Sequence, residues 1–376
     1  MRIGIDATPI FLQKGGIGYY TQSLLEYLTQ IDAANEYVLF KTTQNQPESP
    51  ISFIDRRNVR IIYTPKALQK WRSRRERIDL YHGTNFRLRG RGCRGNVVTI
   101  HDLAFKRYPR FLKKKFGQFL SFLKTKRDVN RADRVIAVSQ HTAKDIVDIF
   151  KINPQKIKVV YHGVEPHFRP DVSLESICTV KKKYRILPGS YILWVGTIEP
   201  RKNLQVLIKI YGQLKDIHEK YSLVLGGGWG WKYEDILPLV QSLGERVRIT
   251  GYLPREDLYP LYSGATLFVY PSLYEGFGMP LLEAMASGVP VVASRASSIP
   301  EVVGDAAIFF DPLNISDIGE AMLRVLQDSS MRLSLREKGI QRAKQFTWER
   351  AARQTLEIYA EIMGRERNGY VEDSHY

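Results

Sequence analysis

Short apolar runs rich in β-branched residues alternate with longer segments of helical periodicity along most of the chain. Runs that are apolar on both faces are typical of parallel strands covered by helices on both sides of the sheet. The predicted strands are residues 2–5, 37–40, 59–63, 97–100, 134–138 and 157–160, followed by 191–195, 221–225, 247–249, 266–270, 289–293 and 307–310. The predicted helices are 17–30, 140–150 after a Ser139 N-cap, 204–218, 255–262, 281–287, 316–327 and 331–345.

The strands and helices form two consecutive series, which predicts an α/β protein with two doubly wound, Rossmann-like parallel-sheet domains. A stretch rich in proline and polar residues at 166–188 separates the series. We therefore place an N-terminal domain at 1–170 and a C-terminal domain at 171–346. Ligands of open parallel sheets bind beyond the carboxyl ends of the strands, so we expect the two domains to face each other across a ligand-binding cleft.

Composition places the chain among soluble globular proteins rather than disordered or fibrous ones. Its two cysteines, Cys93 and Cys178, form neither a disulfide framework nor a metal-binding spacing, which favours a reducing cytoplasm. The chain opens on the strand-like RIGID, so no signal peptide is predicted. The longest stretch without Asp, Glu, Lys or Arg, 258–274, is interrupted by prolines and is not predicted to span a membrane.

The formal net charge of +17 is concentrated in the first half of the chain. Residues 1–170 contain 32 Lys and Arg against 14 Asp and Glu, which leaves 24 and 25 of the totals of 56 and 39 for the remainder. The excess lies in three clusters at 66–77, 87–94 and 106–127. Such clusters are typical of proteins that bind nucleic acid, anionic lipid or a phosphorylated glycan. An ordinary solvated surface is the alternative interpretation.

One short motif follows the first strand of each series. Gly15 and Gly16 stand at the entry of the first helix, where glycines let a backbone approach a phosphate, although a turn that needs positive φ explains them equally well. Arg201 and Lys202 stand at the beginning of a helix in the second series, where the helix dipole disfavours cations. An anion such as a diphosphate would explain this pair, and the alternative is an exposed basic pair.

Three further polar residues stand at strand ends or helix starts. His101 ends an apolar strand, where a polar side chain reaches a substrate more easily than in the middle of a sheet. Glu275 and Glu283 lie eight positions apart in YEGFGMPLLEAMASGVPVVAS, at 274–294, on either side of a predicted helix start. We interpret them as two hydroxyl acceptors beside a phosphate-binding backbone, and the alternative is one capping and one exposed glutamate.

In collinear order, these segments resemble the retaining glycosyltransferases of family 4, which have the GT-B fold. The resemblance covers essentially the whole chain, and the two glutamates with seven residues between them are its strongest element. It is carried by IGIDATPIFLQKGGIGYYT, TIHDLAF, ADRVIAVSQHTAKDI, VVYHGVEPHFRP, WVGTIEPRKNL, FVYPSLYEGFGMPLLEAMASGVPVVAS and IPEVVGDAAIFFDP.

The resemblance implies a role for each candidate residue. Glu283 would bind the ribose of a nucleotide-sugar, and Arg201 with Lys202 would neutralise its diphosphate. One position departs from the family pattern, because Thr197 stands where many members carry an arginine that contacts the donor. The remaining implied contacts are His101 and Glu275 as catalytic residues at the transferred sugar, Phe277, Gly278 and Met279 around its hydroxyls, and Gly15 and Gly16 at the phosphates.

The resemblance also implies a cofactor-free reaction that retains the anomeric configuration. The chain contains no Asp-x-Asp motif, which the metal-dependent transferases of the other major fold use, so we expect no metal site. Basic side chains and helix N-termini would stabilise the leaving diphosphate instead. The motif GTIEPRKN resembles that of mannosyltransferases of bacterial surface polysaccharides, which favours GDP-mannose as the donor and a glycan or lipid-linked acceptor.

Two expectations concern regions outside the predicted site. In residues 106–127, Phe111, Phe116, Phe119, Leu120, Phe122 and Leu123 are interleaved with lysines that include Lys113, Lys114 and Lys115, which predicts a helix lying on an anionic membrane at the inner face of the plasma membrane. Packing of these aromatic residues in the core is the alternative. The resemblance implies that the C-terminal helix, within 347–376, packs back on the first domain.

Two rival functions remain at this point. A nucleotide-sugar epimerase of the same architecture would share the nucleotide end of the site and need no acceptor. A nucleic-acid-binding protein would explain the basic charge, but the clusters lack the spacing of a zinc finger, a basic zipper or an aromatic RNA-binding motif, so we expect no nucleic-acid partner.

Overall fold

A computed structural model describes residues 1–12, 15–46, 51–111 and 115–364, with the backbone alone for 110 and 115–119. The chain divides into two compact units. The first unit contains Met1–Leu103, Phe116–His162 and the described part of Trp348–Tyr376, and the second contains Ala104–Lys115 and Gly163–Thr347.

The first unit is built on a parallel sheet of seven strands in the order β3-β2-β1-β4-β5-β6-β7. The chain returns to the middle of the sheet after β3, so the strand order reverses between β1 and β4, the position at which doubly wound sheets bind ligands. The strands are β1 (Arg2–Asp6), β2 (Glu36–Lys41), β3 (Val59–Tyr63), β4 (Leu80–Gly83), β5 (Gly95–Ile100), β6 (Arg134–Ala137) and β7 (Ile157–Val159).

The second unit repeats this design with six parallel strands in the order β10-β9-β8-β11-β12-β13, and the order reverses between β8 and β11. Its strands β8, β9, β11 and β12 are almost completely buried, which explains their continuous apolar sequence. The strands are β8 (Ser190–Val195), β9 (Tyr221–Gly226), β10 (Val247–Ile249), β11 (Leu267–Tyr270), β12 (Val291–Ser294) and β13 (Ala307–Phe310).

Helices connect the strands of both sheets. The Ser139 side chain caps the predicted helix 140–150 by accepting a hydrogen bond from the Thr142 N–H. The helices are α1 (Gly16–Ile31), α2 (Gln69–Arg75), α3 (Ala104–Arg107), α4 (Lys115–Arg131), α5 (Gln140–Phe150), α6 (Leu174–Lys183), α7 (Leu204–Gln213), α8 (Lys215–Lys220), α9 (Leu237–Leu243), α10 (Arg255–Ser263), α11 (Met279–Ala286), α12 (Ile299–Val303), α13 (Ile315–Gln327), α14 (Ser329–Ala343) and α15 (Trp348–Ile362).

The described helices and strands depart from the predicted ones in several places, and helices α2, α9 and α12 were not predicted. Strand β4 was not predicted, because its sequence LYHG contains one aliphatic residue, yet all four residues are buried between β1 and β5. Helix α6 lies in the stretch that was predicted to separate the domains. The predicted helix 204–218 is divided into α7 and α8 at Leu214.

The first unit gives way to the second at Gly163 rather than at the predicted residue 171. Ala104–Lys115 belongs to the second unit, although it was predicted to lie in the first domain. Helix α15 belongs to the first unit and packs against α1. Its Tyr359 hydroxyl lies 2.6 Å from His82 Nδ1, and His82 Nε2 lies 2.8 Å from the Thr99 hydroxyl on β5. The C-terminal helix is thus tied to the centre of the first sheet.

Candidate active site

The second unit brings two loops together at the carboxyl ends of β8 and β11. After β8 the chain forms a 3₁₀ turn, Pro200–Lys202, and after β11 it runs through Glu275 to the start of α11. The Leu273 N–H donates to the Arg201 carbonyl at 2.9 Å. Because β8 and β11 are neighbours at the switch point, residues more than 70 positions apart meet there.

Arg201, Lys202 and Glu275 form one buried cluster of charges. Lys202 Nζ donates to Glu275 Oε1, and Arg201 Nη1 donates to Glu275 Oε2, both at 2.7 Å. Arg201 Nη2 also donates to Glu199 Oε1 at 2.5 Å. The side chains of Lys202 and Glu275 are no more than a tenth exposed. Two cations and two carboxylates thus neutralise one another in a site largely shielded from water.

The cluster fixes the charge of its carboxylate. Burial alone would raise the pKa of Glu275, but Arg201 and Lys202 outweigh it and lower this pKa to about 2. Burial lowers the pKa of Lys202, and Glu275 opposes that shift. Glu275 is therefore an anion at neutral pH, able to accept hydrogen bonds from hydroxyl groups.

The loop that carries Glu275 is held by serines that follow β12. The Glu275 N–H donates to Ser297 Oγ at 2.7 Å, and the Ser298 hydroxyl lies 3.0 Å from the carbonyls of both Glu275 and Phe277. Gly278 has φ of 106°, a left-handed conformation that favours glycine, and α11 begins at the next residue, Met279. The loop is therefore fixed in front of the first turn of α11.

Glu283 belongs to a second network within the same unit. Its Oε1 accepts from Arg255 Nη1 at 2.6 Å, and its Oε2 accepts from the Tyr262 hydroxyl at 2.9 Å. Arg255 also donates to Glu165, which accepts from the Tyr259 hydroxyl. Glu283 is 6% exposed, so neither this residue nor Glu275 is the exposed glutamate of the alternative interpretation.

The structure corrects the interpretation of the basic pair. Arg201 and Lys202 lie in a 3₁₀ turn before α7 rather than in its first turn, and Asn203, with φ of 57°, separates the two elements. Lys202 is 7% exposed, which contradicts the alternative of an exposed basic pair. The loop end of a strand therefore positions these cations, and the α7 dipole is not needed to explain them.

Glu199, Arg255 and Glu165 were not predicted as site residues. Arg255 is the first residue of α10, so the argument from the helix dipole that singled out Arg201 and Lys202 also applies to it. Glu165 lies in the segment VVYHGVEPHFRP, which contributes to the resemblance, but its partner is 90 positions away. Only the folded chain shows that these residues hold Glu275 and Glu283.

His101 stands at the carboxyl end of β5 in the first unit. Its Nε2 donates to the Thr84 carbonyl at 2.8 Å, and its ring packs edge-on against Tyr20 at 4.7 Å. Burial lowers the pKa of His101 to about 4, and the Thr84 carbonyl opposes this shift. The ring is therefore neutral at pH 7, with Nδ1 as its acceptor nitrogen.

Gly15 and Gly16 lie at the start of α1, also in the first unit. Gly15 has φ of −118°, so the interpretation of Gly15 as a positive-φ turn is wrong. Among the described residues, no atom lies within 4 Å of a Cβ placed on Gly15. Gly15 is the N-cap of α1, a position that favours glycine among other small residues, so a phosphate contact at Gly15 stays a prediction.

The predicted membrane-binding segment is not one helix. It contains α3, a 3₁₀ turn at Pro109–Phe111 and α4. Phe122 stacks on Phe150 with ring centroids 5.6 Å apart, so this aromatic residue packs inside the first unit, whereas Leu120 and Leu123 are exposed. Lys113 and Lys114 lie outside the described residues, as do the side chains of Lys115, Phe116 and Phe119.

The described residues contain neither a membrane-spanning helix nor a cluster of side chains suited to a metal ion. No described helix is both long enough and apolar enough to cross a bilayer. Within the same residues, no cluster of three or more His, Cys, Asp and Glu side chains could hold a metal ion.

Comparison with known sequences identifies relatives along the whole chain. The family model described as Glycosyltransferase Family 4 matches residues 14–168, and the one described as Glycosyl transferases group 1 matches 179–344. The chain is 33% identical to O-antigen chain mannosyltransferase B of Escherichia coli, over 96% of this chain and 99% of that protein. It is 32% identical to the serotype-specific mannosyltransferase WbdA of Escherichia coli over 71% of this chain, which spans a third of that longer protein.

Solved structures share the fold at lower identity. Sucrose-phosphate synthase of Thermosynechococcus elongatus has a TM-score of 0.77 and 22% identity, covering 96% of this chain and 99% of that one. Anabaena HepE in complex with UDP-glucose has a TM-score of 0.74 and 17% identity, with 96% and 99% coverage. The full-length match to a mannosyltransferase, together with two parallel-sheet α/β domains and the GT-B fold of the structural neighbours, confirms the predicted family and fold. The chain belongs to the family 4 glycosyltransferases and is an enzyme of sugar transfer.

Proposed function

We propose that the protein transfers mannose from GDP-mannose to a glycan or lipid-linked acceptor, with retention of the anomeric configuration and without a metal ion. The buried cluster of Arg201, Lys202 and Glu275 at the β8–β11 switch point carries this proposal. Mannose is supported by the names of two relatives, O-antigen chain mannosyltransferase B and WbdA.

The donor diphosphate finds its counter-charges in Arg201 and Lys202. Both cations are bound to Glu275 at 2.7 Å, and the buried cluster has no net charge because Glu199 is its fourth member. A diphosphate offers these cations stronger acceptors than a carboxylate shared between them. Donor binding therefore exchanges partners: the cations turn towards the phosphates, and Glu275 becomes available to hydroxyl groups of the sugar.

Glu283 receives the ribose of the donor. Arg255 and Tyr262 use one acceptor direction on each of its oxygens. An ionised carboxylate has about four acceptor directions, so one remains on each oxygen for the two ribose hydroxyls. Arg255 orients the Glu283 carboxylate, and its second contact, to Glu165, holds the guanidinium itself in place.

The transfer step needs no protein nucleophile. The acceptor hydroxyl oxygen forms a bond to the anomeric carbon on the face from which the phosphate oxygen leaves, and that oxygen takes the hydroxyl proton. Lys202 and Arg201 stabilise the negative charge that develops on the leaving diphosphate. His101 is neutral at pH 7, so it contributes a hydrogen bond to the transferred sugar without opposing a developing positive charge at the anomeric carbon.

The acceptor is proposed to be presented at the inner face of the plasma membrane, where the cytoplasmic enzyme binds as a peripheral protein. The charge excess in residues 1–170 and the exposed Leu120 and Leu123 on α4 support this location. A co-sedimentation assay with neutral and anionic liposomes tests it. Salt-sensitive binding to anionic liposomes alone is expected, and equal binding to both kinds would refute the location.

A panel of nucleotide-sugars tests the donor. The purified protein is incubated with GDP-mannose, UDP-glucose, UDP-N-acetylglucosamine and ADP-glucose, and both thermal stabilisation and slow hydrolysis are measured. We expect GDP-mannose to give the largest stabilisation and to release GDP and mannose. A preference for another donor would refute the mannose assignment, and release of an epimerised nucleotide-sugar would refute transfer as the reaction.

A further inference from the structure

The first unit contains a basic cavity whose lining includes none of the residues proposed for the sugar-transfer reaction. Its volume is about 370 Å³, within the range of small-molecule sites. Asn96 near the start of β5 and Arg131 at the end of α4 lie on its wall. His101 stands at the other end of β5, and a six-residue strand is roughly 20 Å long. The cavity and His101 therefore lie at opposite ends of this strand.

The cavity is lined by four cations, Lys70, Arg74, Arg91 and Arg131, against one carboxylate. That carboxylate, Asp128, is buried and already bound to Arg87 at 2.6 Å and Arg127 at 3.3 Å. Within the described residues, none of the four lining cations forms an ion pair, although neighbouring arginines such as Arg72 and Arg60 are paired with Glu76. The lining thus has an excess positive charge that no described side chain neutralises.

The position of Arg91 is fixed by two glycines that flank it. A Cβ on Gly90 would lie 2.1 Å from the Tyr81 ring, and a Cβ on Gly92 would lie 2.3 Å from the Gly95 carbonyl oxygen, so neither position accepts a side chain. The Arg91 N–H donates to Ser73 Oγ at 3.0 Å, which ties this segment to α2. Arg91 is therefore presented by a rigid backbone rather than by a mobile loop.

Helix α2 supplies two more cations at a cost to its own stability. Lys70 and Arg74 are four positions apart, so they lie on one face of the helix and repel each other. Arg74 and Arg91 also line a second cavity, of about 430 Å³, together with Arg77. An anion between these side chains would turn the repulsion into attraction.

We propose that this cavity binds a phosphate monoester or diphosphate group, at a site separate from the sugar donor. Four cations against one carboxylate favour a ligand whose negative charge is concentrated in one group. A phosphate monoester carries about 1.5 to 2 negative charges near neutral pH, more than a carboxylate or a sulfate ester. Arginine side chains bind its oxygens through paired N–H groups, and the lysine adds a point charge. A phospholipid headgroup or a soluble phosphorylated molecule provides this chemistry.

The test is a calorimetric titration with inorganic diphosphate, which distinguishes this cavity from the donor site by substitution. In the wild type we expect two sites, and in Lys202→Ala, which weakens the donor site, one. Adding Arg74→Glu and Arg91→Glu to Lys202→Ala should weaken the remaining site by at least about tenfold. Arg91→Lys, which keeps the charge and loses the paired N–H groups, should have a smaller effect.

The matched control is Lys66→Glu with Arg57→Glu, which changes the total charge equally at exposed positions outside the cavity. It should bind diphosphate as the Lys202→Ala parent does, and circular dichroism should show that all variants are folded. Undiminished binding by the Arg74→Glu, Arg91→Glu variant, or an equal loss in the control, would overturn the proposal. Failure of the donor assignment would instead appear as unchanged binding on Lys202→Ala alone.

Vesicles distinguish the two sources of phosphate. Vesicles of phosphatidylcholine with phosphatidic acid are sedimented with the wild type and with the Arg74→Glu, Arg91→Glu variant. Binding that this variant loses and the Lys66→Glu, Arg57→Glu control retains supports the site with a lipid headgroup as its ligand. Loss of diphosphate binding in the variant, without any difference between the variant and the wild type on vesicles, supports the site with a soluble ligand.

Discussion

The strands β8 and β11 of the second unit and the strands β4 and β5 of the first unit carry different kinds of polar group. In the second unit, the buried Lys202 and the partly buried Arg201 each form an ion pair with the buried Glu275 at 2.7 Å. In the first unit, His101 and His82 are buried and neutral, with hydrogen bonds to the Thr84 carbonyl and to hydroxyl groups. The same strand arrangement thus supports a charged cluster at the ends of β8 and β11 and two neutral histidines, one in β4 and one at the end of β5.

The difference shows how each unit meets the cost of burying polar groups. A buried ion is stable only if another ion or several hydrogen bonds replace its water, so Glu275 depends on its cations and they depend on it. A buried histidine avoids the cost by losing its charge. The first arrangement suits the binding of a charged ligand by exchange of partners, and the second suits neutral hydroxyl groups of a sugar.

Breaking the charged cluster should have the largest effect. We expect Lys202→Ala to reduce kcat/KM roughly thirtyfold to several thousandfold, because the diphosphate loses a buried counter-charge. This corresponds to a loss of about 2–5 kcal/mol of transition-state stabilisation. The measurement is steady-state kinetics with the donor that the panel identifies. Lys209→Ala, an exposed lysine on α7, is the control and should retain wild-type kinetics. Near-normal turnover in Lys202→Ala would show that the cluster does not bind the donor.

Removing the second carboxylate should have a somewhat smaller effect. We expect Glu283→Ala to reduce kcat/KM by a factor that corresponds to about 2–3 kcal/mol of transition-state stabilisation, because two ribose hydroxyls lose their charged acceptor. Tyr262→Phe removes one hydrogen bond to Glu283 and leaves the carboxylate, so it should have a milder effect. A larger loss in Tyr262→Phe than in Glu283→Ala would contradict the ribose assignment. Circular dichroism should confirm that both variants are folded.

Acidification should destabilise the first unit more than the second. Burial lowers the pKa of His82 to about 3 and that of His101 to about 4, below the ordinary value of 6.5. Above pH 6.5 these histidines do not reduce the free energy of unfolding. As the pH falls below 6.5, the free energy of unfolding decreases, because the unfolded chain binds protons that the folded chain excludes. From pH 7 to pH 5 we expect His101 alone to cost the first unit about 2 kcal/mol. The pKa of Glu275 is about 2, so its contribution is kept at pH 5.

Hydrogen exchange measured by mass spectrometry checks this contrast. Amides of β4 and β5 should lose protection at pH 5, after correction for the intrinsic pH dependence of exchange, whereas amides of β8 and β11 should not. His82→Gln should reduce the acid sensitivity of the first unit. Equal loss of protection in both sheets would show that the buried histidines do not set the acid sensitivity.

The sequence predicted most strands and the identity of the charged residues, but not the way in which they are paired. Strands such as β8 and β11 are apolar throughout, so their hydrophobic runs reveal them. Strand β4 escaped prediction because His82 and Gly83 interrupt its apolar character, and its burial follows from neighbouring strands. The contact of Arg255 with Glu165 spans 90 positions, and no local pattern encodes such a distance.

The smallest expected effect is that of a metal chelator, which should leave turnover unchanged. Arg201 and Lys202 supply two positive charges at the place proposed for the diphosphate, and a divalent ion supplies the same charge in transferases that use one. Turnover is measured in excess EDTA and again after Mg²⁺ or Mn²⁺ is added back. Lys202→Ala makes the test sharper, because in that variant an added divalent ion could replace the lost charge and partly restore turnover. Wild-type activity that EDTA abolishes and Mg²⁺ restores would show that the two cations do not suffice, and the contrast between the two units would then need a metal ion in the second.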